Sequence, residues 1–294
     1  MPQISHSRKL RERLHLDRSL KGKSWLYQAE RPFAPKPSHI HVELELNLCI
    51  AGQGEYLSEG RLIPLKPGGL IWLFPEQDHA MHRATPDFQM WIAIFRPSLL
   101  RQTCRQPENR PLLSAHRPAT HQTVAHLLPT ETQALVNLFS EIETLADAGQ
   151  FDRSNAALPL LLLDAWQHTQ SASAQQPAED ALHPAVFRAA MQINDDPTIE
   201  SLTSLSAHAG LSYEHLSRIF SQQLGQTMSA YRNEQRLRRF ATLIEGERFN
   251  LTEAALEAGF GSYTQCFRVL RDQWGLSPSQ LKASPRNRHK KAAD

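Results

Sequence analysis

Two sets of residues in this chain have side chains whose types and spacing could do chemistry. The first is a stretch used twice. Ser212-Tyr-Glu-His-Leu-Ser-Arg-Ile-Phe220 reappears fifty residues later as Ser262-Tyr-Thr-Gln-Cys-Phe-Arg-Val-Leu270, with Gly225 matched by Gly275 and Ser229 by Ser279. Read as helices, the copies turn outward Tyr213, Glu214, Ser217 and Arg218 in one case, and Tyr263, Thr264, Gln265, Phe267 and Arg268 in the other. Arg pairs bidentately with guanine, Gln with adenine, and Glu accepts from cytosine N4, so such faces could read base edges. The second set is His39-Ile-His41-Val-Glu43-Leu-Glu45, where alternation at period 2 places His39, His41, Glu43 and Glu45 on one strand face. Imidazole and carboxylate are ligand types for a divalent transition metal. The polar lining of a small-molecule cavity alternates in the same way, and an outward arginine can be a solvated helix face.

The elements that must position these residues follow from local signals. In each copy a Ser stands at the N-cap, apolar residues fall at i, i+3 and i+4 (Leu216, Ile219, Phe220; Cys266, Val269, Leu270), and a Gly follows the end. Upstream of the first copy, Ser201 to His208 reads as a helix stopped by Gly210; helix, tight turn and capped helix make a helix-turn-helix. The second copy repeats this, with Asn250 and Glu253 as a capping box and Gly259-Phe260 at the turn. Met228 to Glu245 would be one helix joining the halves, and Pro184 starts a helix ending near Asp195. Arg232, Arg236, Arg238 and Arg239 concentrate positive charge on the joining helix; Arg286, Arg288, Lys290 and Lys291 do so in the tail.

Ahead of this region, residues 39–129 predict a barrel or sandwich of short strands: His39–Ile50, Glu55–Ser58, Arg61–Leu65, Leu70–Phe74 and Phe88–Phe95. Residues 97–129 hold five prolines and no clear period. Helical patterns at Thr130–Ala148 and Ser154–His168 must bury an apolar stripe, either on their own barrel or on a second copy of the chain. Ser171 to Asp180 reads as a low-complexity linker, and residues 1–38 as a basic, irregular lead-in. The predicted domains are thus 1–38, 39–129 (sensor barrel), 130–170 (helical packing or dimerisation segment), 171–182 (linker), 183–284 (tandem helix-turn-helix) and 285–294 (basic tail).

Bulk properties agree with an α+β protein of two domains. At 294 residues, with 40% hydrophobic and 21% charged residues, the chain suits two globular cores. A net charge of +2 does not by itself argue for nucleic acid. Cys49, Cys104 and Cys266 have neither metal spacing nor an even disulfide set, which suits a reducing cytoplasm. No apolar run approaches the roughly 20 residues of a membrane-spanning helix.

The segment Ser201-Leu…Ala209-Gly-Leu-Ser…His215-Leu-Ser-Arg-Ile-Phe, then Gly225, Arg236-Leu, Gly259-Phe and Phe267-Arg-Val-Leu…Trp274-Gly-Leu-Ser-Pro278 resembles the DNA-binding domain of AraC/XylS-type transcriptional regulators. The resemblance implies a homeodomain-like all-α domain. Its two post-turn helices would enter successive major grooves, roughly 34 Å apart, of a double-stranded operator. It makes Tyr213, Glu214, Ser217, Arg218, Tyr263, Thr264, Gln265 and Arg268 the DNA-reading residues. It also implies a small-molecule effector, RNA polymerase as a partner, a homodimer, and no enzymatic activity. Cys266 stands where the family has a large apolar residue, Phe267 where it has a polar one, and Phe240 where it tends to Ala. Those departures predict a second reader that docks more loosely than the first.

In the N-terminal half, His39-x-His41-x3-Glu45-x6-Gly52 resembles the first motif of the cupin superfamily, and Gly69-x5-Pro75 followed by His79 resembles the second, one residue short and lacking its Asn. That resemblance implies a cupin-like barrel and gathers His39, His41, Glu45 and His79 as effector or metal ligands. A divalent metal there, and with it a metal-dependent enzyme or metal sensor, is the alternative to a metal-free effector pocket. Trp72, Trp91 and His82 are further residues that could line the barrel.

Overall fold

The chain is described by a computed structural model over residues 16–29, 38–116, 118, 123–172, 180–199, 201–245 and 248–283. It divides into two compact units: Met1–Ala29 with His39–Asp180, and Glu30–Ser38 with Ala181–Asp294.

The first unit is two antiparallel sheets covered on one side by helices. Strands β1 (Gly22–Gln28), β2 (Leu44–Ala51), β5 (Gly69–Leu73), β7 (Gln89–Phe95) and β8 (Val124–His126) form one sheet in the order β1-β7-β2-β5-β8. In the other sheet, β3 (Gly54–Ser58) lies between β6 (His79–Ala84) and β4 (Arg61–Leu65). Along β2 the sequence alternates apolar and polar, yet both faces are buried. Leu44, Leu46 and Leu48 belong to the core cluster shared with the helices. Glu45 and Asn47 face the second sheet, where the Asn47 amide donates to the Tyr56 hydroxyl at 3.2 Å. The polar side of this strand is therefore an interior, not a solvated surface.

Helices α2 (Pro129–Asp147) and α3 (Phe151–Ser171) cover the leucine side. Phe139 stacks on Trp91 with centroids 5.8 Å apart, and Trp166 meets Trp72 edge-on at 5.7 Å. The Trp72 indole donates to Thr169 Oγ1 at 2.9 Å. The apolar stripe of the helix pair is thus buried on its own sheet, and Trp72 and Trp91 face the helices, not the space between the sheets as the sequence allowed. Leu160, 51% exposed, marks the outer side of α3.

Several elements depart from the sequence reading. Residues 22–28, expected within an irregular lead-in, pair with β7 in continuous register from Gly22↔Phe95 to Gln28↔Gln89. Two anchors hold the chain ahead of them: Arg96 donates to the carbonyls of Leu16 and Asp17, and Asn155 bonds the Lys21 amide at 2.7 Å and the Ser19 carbonyl at 2.8 Å. Strands β6 and β8 were not predicted either, and the region read as irregular after β7 opens with the short helices Pro97–Thr103 (α1) and Pro107–Leu113 (3-10). The expected strand His39–Ile50 begins only at Leu44; His39 makes an isolated bridge to His79. Most of the predicted lead-in, the linker core and the basic tail lie outside the described residues.

The second unit is helical: α4 (Pro184–Asp195), α5 (Leu202–Ala209), α6 (Tyr213–Leu224), α7 (Met228–Glu245), α8 (Leu251–Glu257), α9 (Tyr263–Trp274) and α10 (Pro278–Ala283). The predicted punctuation is present. Ser212 accepts from the His215 amide and Ser262 from the Gln265 amide. Gly210, Gly225 and Gly275 take left-handed φ of 69°, 70° and 66° at helix ends, and Asn250 and Glu253 close a reciprocal box.

Candidate DNA interface and ligand site

Helices α6 and α9 hold their outward residues through buried inner faces. Leu216, Phe220 and Leu224 anchor α6; Cys266, Val269 and Leu270 anchor α9. Glu214, Arg218, Thr264 and Arg268 are exposed, while Tyr213, Ser217, Tyr263 and Gln265 are half-buried on the same helices. Arg218 and Arg268 thus occupy equivalent places on the two repeats, as the sequence spacing required. Gln265 is partly engaged: its Oε1 accepts from the Gly261 amide at 2.8 Å, bracing the N-terminus of α9.

The arginines of α7 do not form a free basic face. Arg236 is buried and donates to the carbonyls of Pro197 at 2.7 Å and Ile199 at 3.1 Å. Arg232 bonds the Ile199 carbonyl at 3.0 Å, Arg238 pairs with Glu234, and Arg239 pairs with Glu257 at 2.9 Å. Burial lowers the Arg236 pKa to about 10, which leaves it charged near neutral pH. The cluster therefore fixes helices to one another. At the turn of the second repeat, Gly259 has φ of 93°, and a Cβ there would lie 2.9 Å from Thr198 Cα and 3.1 Å from Arg236 Nε. Only glycine lets the turn approach this closely.

In the first unit, the polar end of the space between the sheets gathers His39, His41 and His79, whose ligand atoms lie within 4.8 Å of one another. The His79 ring centroid is 4.4 Å from that of His39 and 5.1 Å from that of His41. Glu45 joins through His41, with Oε2 3.1 Å from His41 Nε2, while its Oε1 accepts from Asn47 at 2.7 Å. The four residues converge, but not by strand alternation, since His39 and His41 precede β2. Backbone carbonyls orient two of the rings: Nδ1 of His41 lies 3.0 Å from the Glu43 carbonyl, and Nδ1 of His79 lies 2.8 Å from that of Gln77. Fixing Nδ1 in this way leaves the Nε2 of His79 directed at the site, whereas the Nε2 of His41 is held by Glu45.

Burial works against charge throughout this cluster. It would raise the Glu45 pKa, but the His41 hydrogen bond and the neighbouring imidazoles bring it down to about 2. Burial would lower the His41 pKa, but Glu45 outweighs it and the value is raised. His79 follows burial, down to about 4. It is neutral near pH 7, with the Nδ1 proton on the Gln77 carbonyl. Its buried Nε2 lone pair has no hydrogen-bond partner among the described residues. A buried acceptor without a partner is costly. His79 presents a free nitrogen, and with His39 and His41 it forms a three-imidazole set that fits a divalent transition metal once His41 gives up the Nε2 proton it holds against Glu45.

The AraC-like ligand binding domain family matches residues 33–163, and the helix-turn-helix domain family matches residues 205–284. The arabinose operon regulatory protein of Escherichia coli (strain K12) is 27% identical over 248 residues, spanning 81% of this chain and 80% of that protein. Its counterpart in Salmonella typhimurium is 26% identical over 250 residues, spanning 81% and 83%. Among solved structures, ToxT from Vibrio cholerae O395 aligns over 91% of this chain and 98% of its own with 10% identity and a TM-score of 0.40. The two family matches fall on the two-sheet unit and on the paired helix-turn-helix unit, and together they span more than half of the chain. The chain is an AraC-family transcriptional regulator, with a helix-turn-helix DNA-binding domain following an AraC-like ligand-binding domain.

Proposed function

We propose that this regulator reads a double-stranded operator with α6 and α9 and alters that reading when a small molecule binds between the sheets of its N-terminal unit. The observation that carries the DNA reading is the pair of exposed arginines, Arg218 and Arg268, at equivalent places on two helices with buried inner faces and serine caps. Glu214, Ser217, Thr264 and Gln265 share those faces, with Tyr213 and Tyr263 at the helix starts. Regulation of this kind needs RNA polymerase as a partner, and a second copy of the chain would double the operator contacts. Three free, buried cysteines support a reducing cytoplasmic setting, and no described helix is long and apolar enough to cross a membrane. Arg218→Ala and Arg268→Ala should each lower discrimination between selected and random duplexes by about ten- to a hundredfold. Circular dichroism should stay native. Unchanged discrimination in either variant would remove that helix from the set of readers.

One observation favours a second reading of the ligand site, in which a divalent metal is the effector or part of its site. It is the unpartnered Nε2 of buried His79 beside His39 and His41. Those three residues would hold the ion, His41 doing so on losing the Nε2 proton that Glu45 accepts in its absence. The ion would supply a Lewis-acidic anchor for an effector oxygen. Titrating Zn2+ or Ni2+ into metal-stripped protein should give stoichiometric binding that His79→Ala and His41→Ala both lose. Failure of the wild-type protein to bind either ion would end this reading and leave the metal-free pocket.

A further inference from the structure

We propose that Phe267 makes the second reader selective for thymine, by packing its ring against the 5-methyl group in the major groove. The inference rests on α9 being a DNA-reading helix and adds the chemistry that separates it from α6. Helix geometry assigns the inner face of α9 to Cys266, Val269 and Leu270, all buried. Phe267 lies between those positions, half-exposed, and is not among the described residues that pack on the α7–α9 core cluster. Its aromatic neighbour is Tyr263, one turn earlier, with ring centroids 6.4 Å apart at 47°. Tyr263 itself rests against the core, so it backs Phe267 from below and limits where the ring can turn. The next residue, Arg268, is exposed. An apolar ring therefore sits beside a guanidinium on the outward face, with Thr264 exposed at the preceding turn.

In α6 the equivalent position is Ser217, which has a hydroxyl and no apolar surface to offer. Of the groups a major groove displays, the thymine methyl alone is apolar, and aromatic or methyl-bearing side chains are what recognise it. The two readers should then differ in kind: α6 reads by hydrogen bonding, while α9 combines Arg268 with an apolar contact.

The test uses the full-length chain and the duplex it selects from a random DNA pool. The box read by α9 is identified as the one whose preference Arg268→Ala loses. Thymines in that box are then replaced by deoxyuridine, which removes only the methyl group. Affinity should fall about fourfold for each contacted methyl, the value of one buried carbon. The same replacement in the α6 box should change nothing. Phe267→Ser should bind thymine and uracil duplexes alike while keeping its dependence on Arg268, and Phe267→Leu should retain the preference. Equal affinity of the wild-type protein for the two duplexes, or a selected α9 box without thymine, overturns the proposal and leaves α9 a reader through Arg268. If Arg268→Ala left every base preference intact, the underlying assignment of α9 would fail instead.

Discussion

A single cysteine tests how closely the second reader is packed. Its small size, where the family resemblance implied a large apolar residue, predicted a loosely docked α9. In the structure Cys266 is fully buried, in the same core cluster as Phe240, Leu270 and Phe260, which favours a packed α9 over a loose one. Phe240 is itself larger than the residue expected at its position, so the two departures share one core, and bulk on α7 accompanies the space conceded on α9. Burial pushes the Cys266 thiol up to about 12, which removes it from thiolate chemistry. Cys266→Leu should therefore overpack the site and lower stability by about 1–3 kcal/mol, read as a shifted denaturant midpoint. Placed in a Phe240→Ala background, the same substitution should recover part of the stability lost to the cavity. If Cys266→Leu instead stabilised the protein and tightened DNA binding, α9 would be the loose reader the sequence suggested. The pair could not be recognised from the sequence, because nothing local says that positions 240 and 266 share a core.

At the scale of elements, what was legible depended on how local the signal was. The helices of the second unit were readable because serine caps, the Asn250–Glu253 box and left-handed glycines lie within a few residues of the ends they mark. Strands β1, β6 and β8 were not, since Gly22–Gln28 is ordered by a partner strand at 89–95 and by anchors from Arg96 and Asn155. The arginines of α7 show the same limit. As sequence they resemble a basic patch; as structure, Arg236 joins α7 to the Pro197–Ile199 segment ahead of α5 while Gly259, at the second turn, packs against that segment and against Arg236 itself. One guanidinium thus touches parts of both repeats. Arg236→Met keeps the stem and removes the donors, leaving backbone carbonyls unsatisfied at a cost of about 1–3 kcal/mol. Binding to a duplex carrying both boxes should fall well beyond any loss on a duplex with one box scrambled, because the relative setting of the readers is what loosens. Parallel losses on both duplexes would confine Arg236 to a general role in stability.

At the scale of the whole molecule, the two chemistries fall in the two compact units of the chain. The histidine cluster could be named from the sequence because the first of its two motifs is intact, although its geometry comes from an isolated bridge and two backbone carbonyls, not from one alternating strand. The proposed DNA-reading face could be named because it is a repeat. Their separation has a direct consequence. The described core of the helical unit runs from Leu182 to Leu281, and the cluster around α7, α8 and α9 is drawn from Leu237 to Leu281 without a residue of the first unit. A fragment comprising residues 181–294 should therefore fold cooperatively on its own and select the same base sequence as the full chain. Its affinity should be indifferent to any compound that shifts the thermal midpoint of the N-terminal unit, whereas the affinity of the full chain should respond to that compound. Coupling requires that the effector favour one state of the molecule over another, and the fragment lacks the site through which it could do so. Fluorescence anisotropy of both proteins on one duplex, with and without the compound, makes the comparison. A fragment that folds but selects a different sequence would show that the first unit helps to set the readers. A full chain that binds DNA equally with and without every stabilising compound would show that the site between the sheets is not a regulatory input.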